Sequence, residues 1–263
     1  MAHQTLRFAA GTDVGRRRKT NEDSAFAGPR LLAVADGMGG HPHGDLASRT
    51  AITTVAGLPF GDDPAAALAA GVAEVSARLD DLGRRDPRLA GMGTTLTAMA
   101  WDGRRFAVAH IGDSRAYLLR GGDLFQLTRD HTMVQTLVDG GRLTPEEAVN
   151  HPRGSVLVRA LQSGGSGEPD LFRHDALPGD RYLLCSDGVS GFVPPDAMRA
   201  ALAEEASPAD AVARLIRLAN RAGGHDNITC VVADVVPAGG ARDQRPQMVG
   251  AASRGRLARL GRR

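Results

Sequence analysis

Apolar residues recur along this chain with two different periods. Helical spacing links Leu68, Val72, Val75, Leu79 and Leu82, and Pro64 ahead of them suits a first helical turn. Ala47, Ala51, Ile52, Val55 and Leu58 form a second stripe, and Val212, Leu215, Ile216 and Ala219 a third, entered through Ser207-Pro208. Thr144-Pro-Glu-Glu147 has the capping-box pattern of a short helix, in which the two side chains satisfy each other's backbone N–H. Shorter apolar runs read as strands at 31–35, 95–101, 106–111, 115–119, 124–127, 182–185 and 228–232. Asp102-Gly103 and Gly121-Gly122-Asp123 lie between successive runs and predict hairpins, hence antiparallel pairing. Strands and helices come in blocks, not in strict alternation. That predicts an α+β fold, antiparallel sheets covered by helices, over a doubly wound one. One domain is expected over 5–236, followed by a flexible Gly/Pro/Arg-rich tail at 237–263.

Composition narrows the possibilities. At 263 residues a sizeable core is within reach. No apolar run approaches the ~20 residues of a membrane span, and no secretory signal is visible at the N-terminus. Cys185 and Cys230 sit in apolar stretches without metal-ligand spacing, which predicts buried, reduced thiols and a cytoplasmic protein. The formal charge of +2 conceals an asymmetry: residues 238–263 hold seven arginines and one aspartate, a net +6, so residues 1–237 carry −4. A mildly acidic body argues against nucleic acid as a main ligand.

The informative feature is a set of carboxylates at strand ends. Asp36 closes the run 31–35 and precedes Gly37-Met38-Gly39-Gly40, and Asp187 closes 182–186 and precedes Gly188. Asp113 follows the strand ending at Ile111, Asp226 precedes 228–232, and Glu22 and Asp23 precede 24–27. Any one Asp-Gly pair is commonly just a turn. If these ends converge, however, several carboxylates share a small volume and cannot all ionise without cations. Oxygen-only ligands suit Mg²⁺ or Mn²⁺ and not zinc. The eight histidines show no paired metal spacing, and His110 and His174 read as structural. Gly37 to Gly40 does not complete a dinucleotide-binding fingerprint.

Six stretches together resemble the metal-dependent protein phosphatases of type 2C, in their bacterial branch. They are Thr12-Asp-Val-Gly-Arg-Arg-Arg-Lys-Thr-Asn-Glu-Asp23, Ala33-Val-Ala-Asp-Gly-Met-Gly-Gly40, Gly91-Met-Gly-Thr-Thr95, His110-Ile-Gly-Asp-Ser-Arg115, Cys185-Ser-Asp-Gly188 and Asp226-Asn227. The resemblance covers residues 5–236 and implies a four-layer α-β-β-α sandwich with metals at one edge. It implies that Asp36 bridges two Mn²⁺ or Mg²⁺ ions, with the Gly37 carbonyl on one and Asp187 and Asp226 on the other. Glu22 and Asp23 would act through metal-bound water, Asp113 with Asp187 would hold a weaker third ion, and Arg18 would bind substrate phosphate. Arg16 and Arg17 crowd Arg18, so its register is open by one residue.

The implied activity is hydrolysis of phosphoserine and phosphothreonine on proteins by a water activated between two metals, opposing serine/threonine kinases in bacterial signalling. The implied partners are phosphoproteins, a kinase among them, met by a monomer; the tail would be dispensable for hydrolysis. Residues 131–161 fit the family's flap beside the site. In the better-known eukaryotic pattern a histidine, a candidate general acid, follows the Asp-Gly pair; here Met38 stands there, leaving water or His41 to protonate the leaving group. Two competing readings are a phosphatase dedicated to one regulatory antagonist and a catalytically dead binding module.

Overall fold

Residues 4–38, 43–149, 151–165, 167–238 and 244–253 are described by a computed structural model of the chain. The first half runs β1 (Gln4–Asp13), β2 (Ser24–Ala27), β3 (Leu31–Ala35), α1 (Gly44–Ala56), α2 (Pro64–Arg85), β4 (Gly93–Thr94), β5 (Leu96–Trp101), β6 (Arg105–Ile111), β7 (Arg115–Arg120) and β8 (Asp123–Gln126). Then come α3 (Met133–Asp139), α4 (Pro145–Val149), β9 (Leu161–Gln162), β10 (Asp170–Asp175), β11 (Arg181–Cys185), α5 (Asp187–Ser190), α6 (Pro195–Glu204), α7 (Pro208–Arg221), β12 (Ile228–Pro237) and β13 (Gln247–Gly250). One large sheet has the order β1-β12-β11-β7-β8, the other β10-β6-β5-β3-β2-β13, and β4 pairs with β9 in a small two-stranded sheet, with antiparallel pairing throughout.

Strand periodicity explains why the apolar runs are continuous. Leu32 and Val34 point between the sheets, where they meet Phe8, Met99, Phe106, Tyr182, Leu184 and Val231. Ala33 and Ala35 point the other way, onto the stripes Ala47, Ile52 and Val55 of α1 and Leu68, Val72 and Val75 of α2. The other sheet repeats the arrangement: Leu183, Cys185, Cys230 and Val232 face Met198 and Leu202 of α6 and Val212 and Leu215 of α7. Away from the half-exposed edge strands β8 and β10, both faces of both sheets are thus buried, which gives the expected four-layer α-β-β-α sandwich. Each fully buried Leu, Ile or Val contributes about 1.5–3 kcal/mol to holding the layers together. Among helices in the described residues, none is long and apolar enough to cross a membrane.

Local signals also hold. Thr144 N–H donates to Glu147 Oε2 at 2.8 Å and Glu147 N–H to Thr144 Oγ1 at 3.2 Å, the reciprocal bonds of a capping box. Gly103 takes φ 102° at the β5–β6 turn. His110 is buried, with its ring between Thr97 Oγ1 and the Arg129 carbonyl, a structural role as expected.

The expected boundary at 236, with a flexible tail over 237–263, does not hold for residues 244–253. Gln247–Gly250 pair antiparallel with β2, from Gln247 opposite Ala27 to Gly250 opposite Ser24. Ala251 and Ala252 are buried; their N–H groups donate to Asp23 O at 2.8 Å and Ser24 Oγ at 3.1 Å. Two glutamines reach across to β1, the exposed edge of the other sheet. Gln244 accepts from Phe8 N–H and donates to Phe8 O, and Gln247 Oε1 accepts from Ala10 N–H. One segment therefore blunts an edge of each sheet. Gly250 holds φ 75°, and a Cβ there would lie 2.1 Å from Asp23 O. We expect a chain ending at Pro237 to melt at least about 5 °C lower than one ending at Ser253, given 2–4 °C per kcal/mol at this size. Gly250→Val in the full chain should reproduce most of that loss. Equal melting temperatures by calorimetry would show that β13 adds nothing.

Candidate metal centre

Asp36 leaves the end of β3 with its backbone held on both sides. Its N–H donates to Thr95 Oγ1 at 3.0 Å, and its carbonyl accepts from Thr95 N–H at 2.9 Å and Thr94 Oγ1 at 2.8 Å. Met38 N–H donates to Gly93 O at 3.1 Å, and Met38 Cε occupies the space a Cβ at Gly93 would need. The Gly91-Met-Gly-Thr-Thr95 motif is therefore the cradle of the Asp36-Gly37 backbone. Thr95 Oγ1 also contacts Ser114 Oγ at 2.7 Å, which ties the cradle to the β6–β7 turn carrying Asp113.

Asp187 opens α5 beyond β11, and Asp226 closes the loop before β12. Gly188 lets these elements touch, since a Cβ there would lie 1.9 Å from Asn227 O. Glu22 N–H donates to Asn227 Oδ1 at 2.8 Å. Asp23 accepts from Ser186 Oγ at 2.8 Å, which joins β2 of one sheet to the end of β11 in the other.

These elements surround a cavity of about 520 Å³ lined by Arg18, Glu22, Asp36, Gly37, Asp113, Asp187 and Asp226, seven of the eight expected site residues. Asp23 is the exception. It lies fully buried off the cavity wall, and its Oδ1 has no hydrogen-bond partner. Arg18 reaches the cavity and pairs through Nη2 with Asp226 Oδ2 at 2.7 Å, whereas Arg16 and Arg17 are not on its wall, which favours the Arg18 register. The segment expected as a flap also lines the cavity, contributing Ser155 to Ala160, and is held by Met133 N–H to Val156 O and Val158 N–H to His131 O. His41, the sequence candidate for proton donor, lies outside the described residues.

The charges are strongly coupled. Burial, reinforced by Asp23, Asp187, Asp113 and Asp226, pushes the Asp36 carboxyl well above its ordinary range. Burial and then Asp187 and Asp130 do the same to Asp113, against the pull of Arg115. Asp187 rises to about 6, by burial and the charge of Asp226. Asp23 rises to about 7, chiefly by burial and against hydrogen bonds from Thr229 and Ser186. Glu22 is raised by burial and Asp45, with Arg18 opposing.

An oxygen-only ring of carboxylates, and a buried carboxylate oxygen without a partner, fit divalent cations of the Mg²⁺ or Mn²⁺ type. Among the described residues no three Asp, Glu, His or Cys side chains close on one point as a preformed sphere.

Known proteins decide the family. Residues 10–232 match the family described as Protein phosphatase 2C. The chain belongs to that family. It is 52% identical over 238 residues to the serine/threonine protein phosphatase PstP of Mycobacterium tuberculosis, covering 88% of this chain and 45% of that protein. It is 36% identical to the serine/threonine phosphatase stp of Listeria monocytogenes, covering 85% of this chain and 93% of that one. The crystal structure of M. tuberculosis PstP/Ppp superposes with a TM-score of 0.84 at 50% identity, covering 88% of this chain and 99% of that chain. The catalytic domain of PstP in complex with two manganese ions gives 0.82, also at 50% identity, covering 89% and 99%. This chain thus spans about half the length of the PstP it matches. The type 2C residues 10–232 end before the segment 244–253 that closes the sandwich.

A pH signature follows from the raised carboxyls. Folded Asp187 and Asp23 hold protons up to about pH 6 and 7, whereas ordinary aspartate releases them near 3.9. Their contribution to folding is therefore fully favourable below about pH 3.9 and is lost progressively as pH rises from there through 6 to 7. With chelator, the melting temperature should fall between pH 5.5 and 7.5, and the stabilisation by Mn²⁺ should grow over the same interval. A Mn²⁺-induced shift in melting temperature that is larger at pH 5.5 would contradict this charge assignment.

Proposed function

We propose that this chain is a metal-dependent phosphoprotein phosphatase that hydrolyses phosphoserine and phosphothreonine. The observation that carries the reading is the convergence of Asp36, Asp113, Asp187 and Asp226 from four separate loops on one cavity that also holds Arg18. The similarity to PstP and stp supports the same activity.

In this reading Asp36, the Gly37 carbonyl, Asp187 and Asp226 hold two Mn²⁺ or Mg²⁺ ions, and Asp113 with Asp187 holds a weaker third. Bound at such a site, divalent ions supply a nucleophilic water near neutral pH and offset charge on the phosphoryl oxygens. Arg18, at the cavity wall, presents a planar fork that orients the substrate phosphate. Glu22 contributes a carboxylate to the same wall, and Asp23 acts from beneath it as an acceptor for water or cation at its unpartnered oxygen. No protein nucleophile is required. Cys185 and Cys230 are free and buried away from the cavity, and burial pushes the Cys185 thiol up to about 12, far from thiolate chemistry. Met38 lines the cavity at the position next to Gly37 and carries no ionisable proton.

The buried, free thiols support a cytoplasmic setting, and the relatives named serine/threonine phosphatases support phosphoprotein substrates; that these include a serine/threonine kinase, and that the enzyme is a monomer, belong to the same proposal. Light scattering of purified protein at micromolar concentration tests the last point, with a dimer mass overturning it.

Mn²⁺ should switch on hydrolysis of a phosphothreonine peptide, and excess chelator should abolish it. Asp36→Asn and Asp187→Asn should each lower turnover by several orders of magnitude with circular dichroism unchanged. Full activity after removal of all bound metal would sink the reading. Arg18→Ala should lower kcat/KM for an aryl phosphate by about 10- to 150-fold, the equivalent of the 1.5–3 kcal/mol of a charged hydrogen bond. If Arg17→Ala shows that loss and Arg18→Ala does not, the phosphate ligand has been placed one residue off.

A further inference from the structure

The loop between β1 and β2 carries Arg16, Arg17, Arg18 and Lys19 in succession, and all four are exposed. Only Arg18 lines the cavity. The others are not loosely tethered. Asn227 donates through Nδ2 to both Val14 O, at 3.0 Å, and Thr20 O, at 2.9 Å, closing the loop at its neck. Arg16 and Arg17 N–H both donate to Gly224 O, at 2.7 and 3.2 Å. Gly15 turns the chain at φ 76°, where a Cβ would lie 2.2 Å from Asp226 O. The backbone of the cationic stretch is therefore pinned against the loop that bears Asp226.

Its charges are not spent internally. Among the described residues, Arg18 pairs with Asp226, and no carboxylate pairs with Arg16, Arg17 or Lys19. Two carboxylates stand three residues from the ends of this stretch: Asp13, engaged by Gly15 N–H at 2.8 Å, and Glu22, on the cavity wall. Four adjacent cations repel one another, and the surrounding body of residues 1–237 is net acidic, so this is a local positive patch and not a general surface charge. Spacing suggests what neutralises it. Successive Cα atoms are about 3.8 Å apart, so Arg17 and Arg16 lie one and two residues from the arginine on the cavity wall. An extended peptide advances about 3.3–3.6 Å per residue. A side chain one or two positions from a phosphoresidue seated in the cavity falls on the same scale.

We propose that Arg16, Arg17 and Lys19 form a fixed anion platform that selects phosphoproteins bearing an anionic side chain, a carboxylate or a second phosphate, beside the phosphoresidue to be hydrolysed. The proposal rests on the phosphatase reading and adds to it the substrate class. Exposed charged contacts are each worth a factor of about two to five, and salt screens them.

The test compares phosphothreonine peptides of one length whose neighbouring positions are alanine, glutamate, a second phosphothreonine or lysine, with Mn²⁺ present throughout. The wild-type kcat/KM should be about tenfold higher for at least one anionic peptide than for the alanine peptide, and lowest for the lysine peptide. Comparing the glutamate and phosphothreonine arms shows which anion is read. The triple variant Arg16→Ser, Arg17→Ser, Lys19→Ser should bring the ratio to about one while changing alanine-peptide hydrolysis less than twofold, and 0.5 M NaCl should collapse the wild-type ratio toward the same value. A wild-type ratio near one, or a triple variant that slows all peptides equally, overturns the platform. Absence of hydrolysis of every peptide and of an aryl phosphate would instead refute the phosphatase reading beneath it.

Discussion

Mutual repulsion of carboxylates at one edge of the sandwich is the constraint around which this fold is arranged. Asp36 lies in the field of Asp23, Asp187, Asp113 and Asp226 together. Two unit charges 4 Å apart repel by about 4 kcal/mol at an effective dielectric of 20, and a whole domain has a margin of only about 5–15 kcal/mol. Without cations the edge cannot be fully ionised, and protonation near neutral pH is how it relaxes. The cost is concentrated where the two sheets meet, because β3 delivers Asp36 from one and β11 and β12 deliver Asp187 and Asp226 from the other.

What holds such an edge in place is short, neutral side chains. Thr94 and Thr95 grip the Asp36 backbone, Asn227 grips Val14, Thr20 and Glu22, and Ser186 bridges to Asp23. Threonine, serine and asparagine fix the main chain without adding charge. Of the contacts just named, only that of Ser186 is spent on a carboxylate oxygen; the others engage backbone groups. Positioning is thus given mainly to residues other than the carboxylates, and among the described residues the one salt bridge to these carboxylates is that of Arg18 to Asp226.

That division decides how much of the site was legible. Asp36, Asp113, Asp187 and Asp226 stand out because a charged residue at the end of an apolar run is conspicuous, and the packed layers follow from stripes such as Leu68, Val72 and Val75. Asn227 and Thr95 were visible only as letters within motifs, since the bonds that give them meaning run to residues far away in the chain. The strand β10 escaped notice because its alternation, in Asp170–Asp175, is half-exposed and charged. The strand β1 was missed because Gln4–Asp13 mixes glycine and arginine with its apolar positions. The strand β13 was hidden by composition. Gln247–Gly250 sits in an arginine- and glycine-rich stretch, and its place depends on glutamine amides bonding a strand more than two hundred residues earlier.

This closing segment meets the carboxylate edge at a single rung. Asp23 sends its carboxyl toward Ser186 and leaves its carbonyl to Ala251 N–H, while the next residue, Ser24, takes Ala252 N–H on its hydroxyl. The segment is held by a four-residue strand, two buried alanines, partial burial of Met248 and Val249 and the bonds of two glutamines. This strand, β13, lies at the edge of its sheet. Opening it would release the carbonyl of Asp23, a residue whose carboxyl already has one oxygen unpartnered. The order of the last described strand and the geometry beneath the carboxylate edge therefore rest on the same backbone.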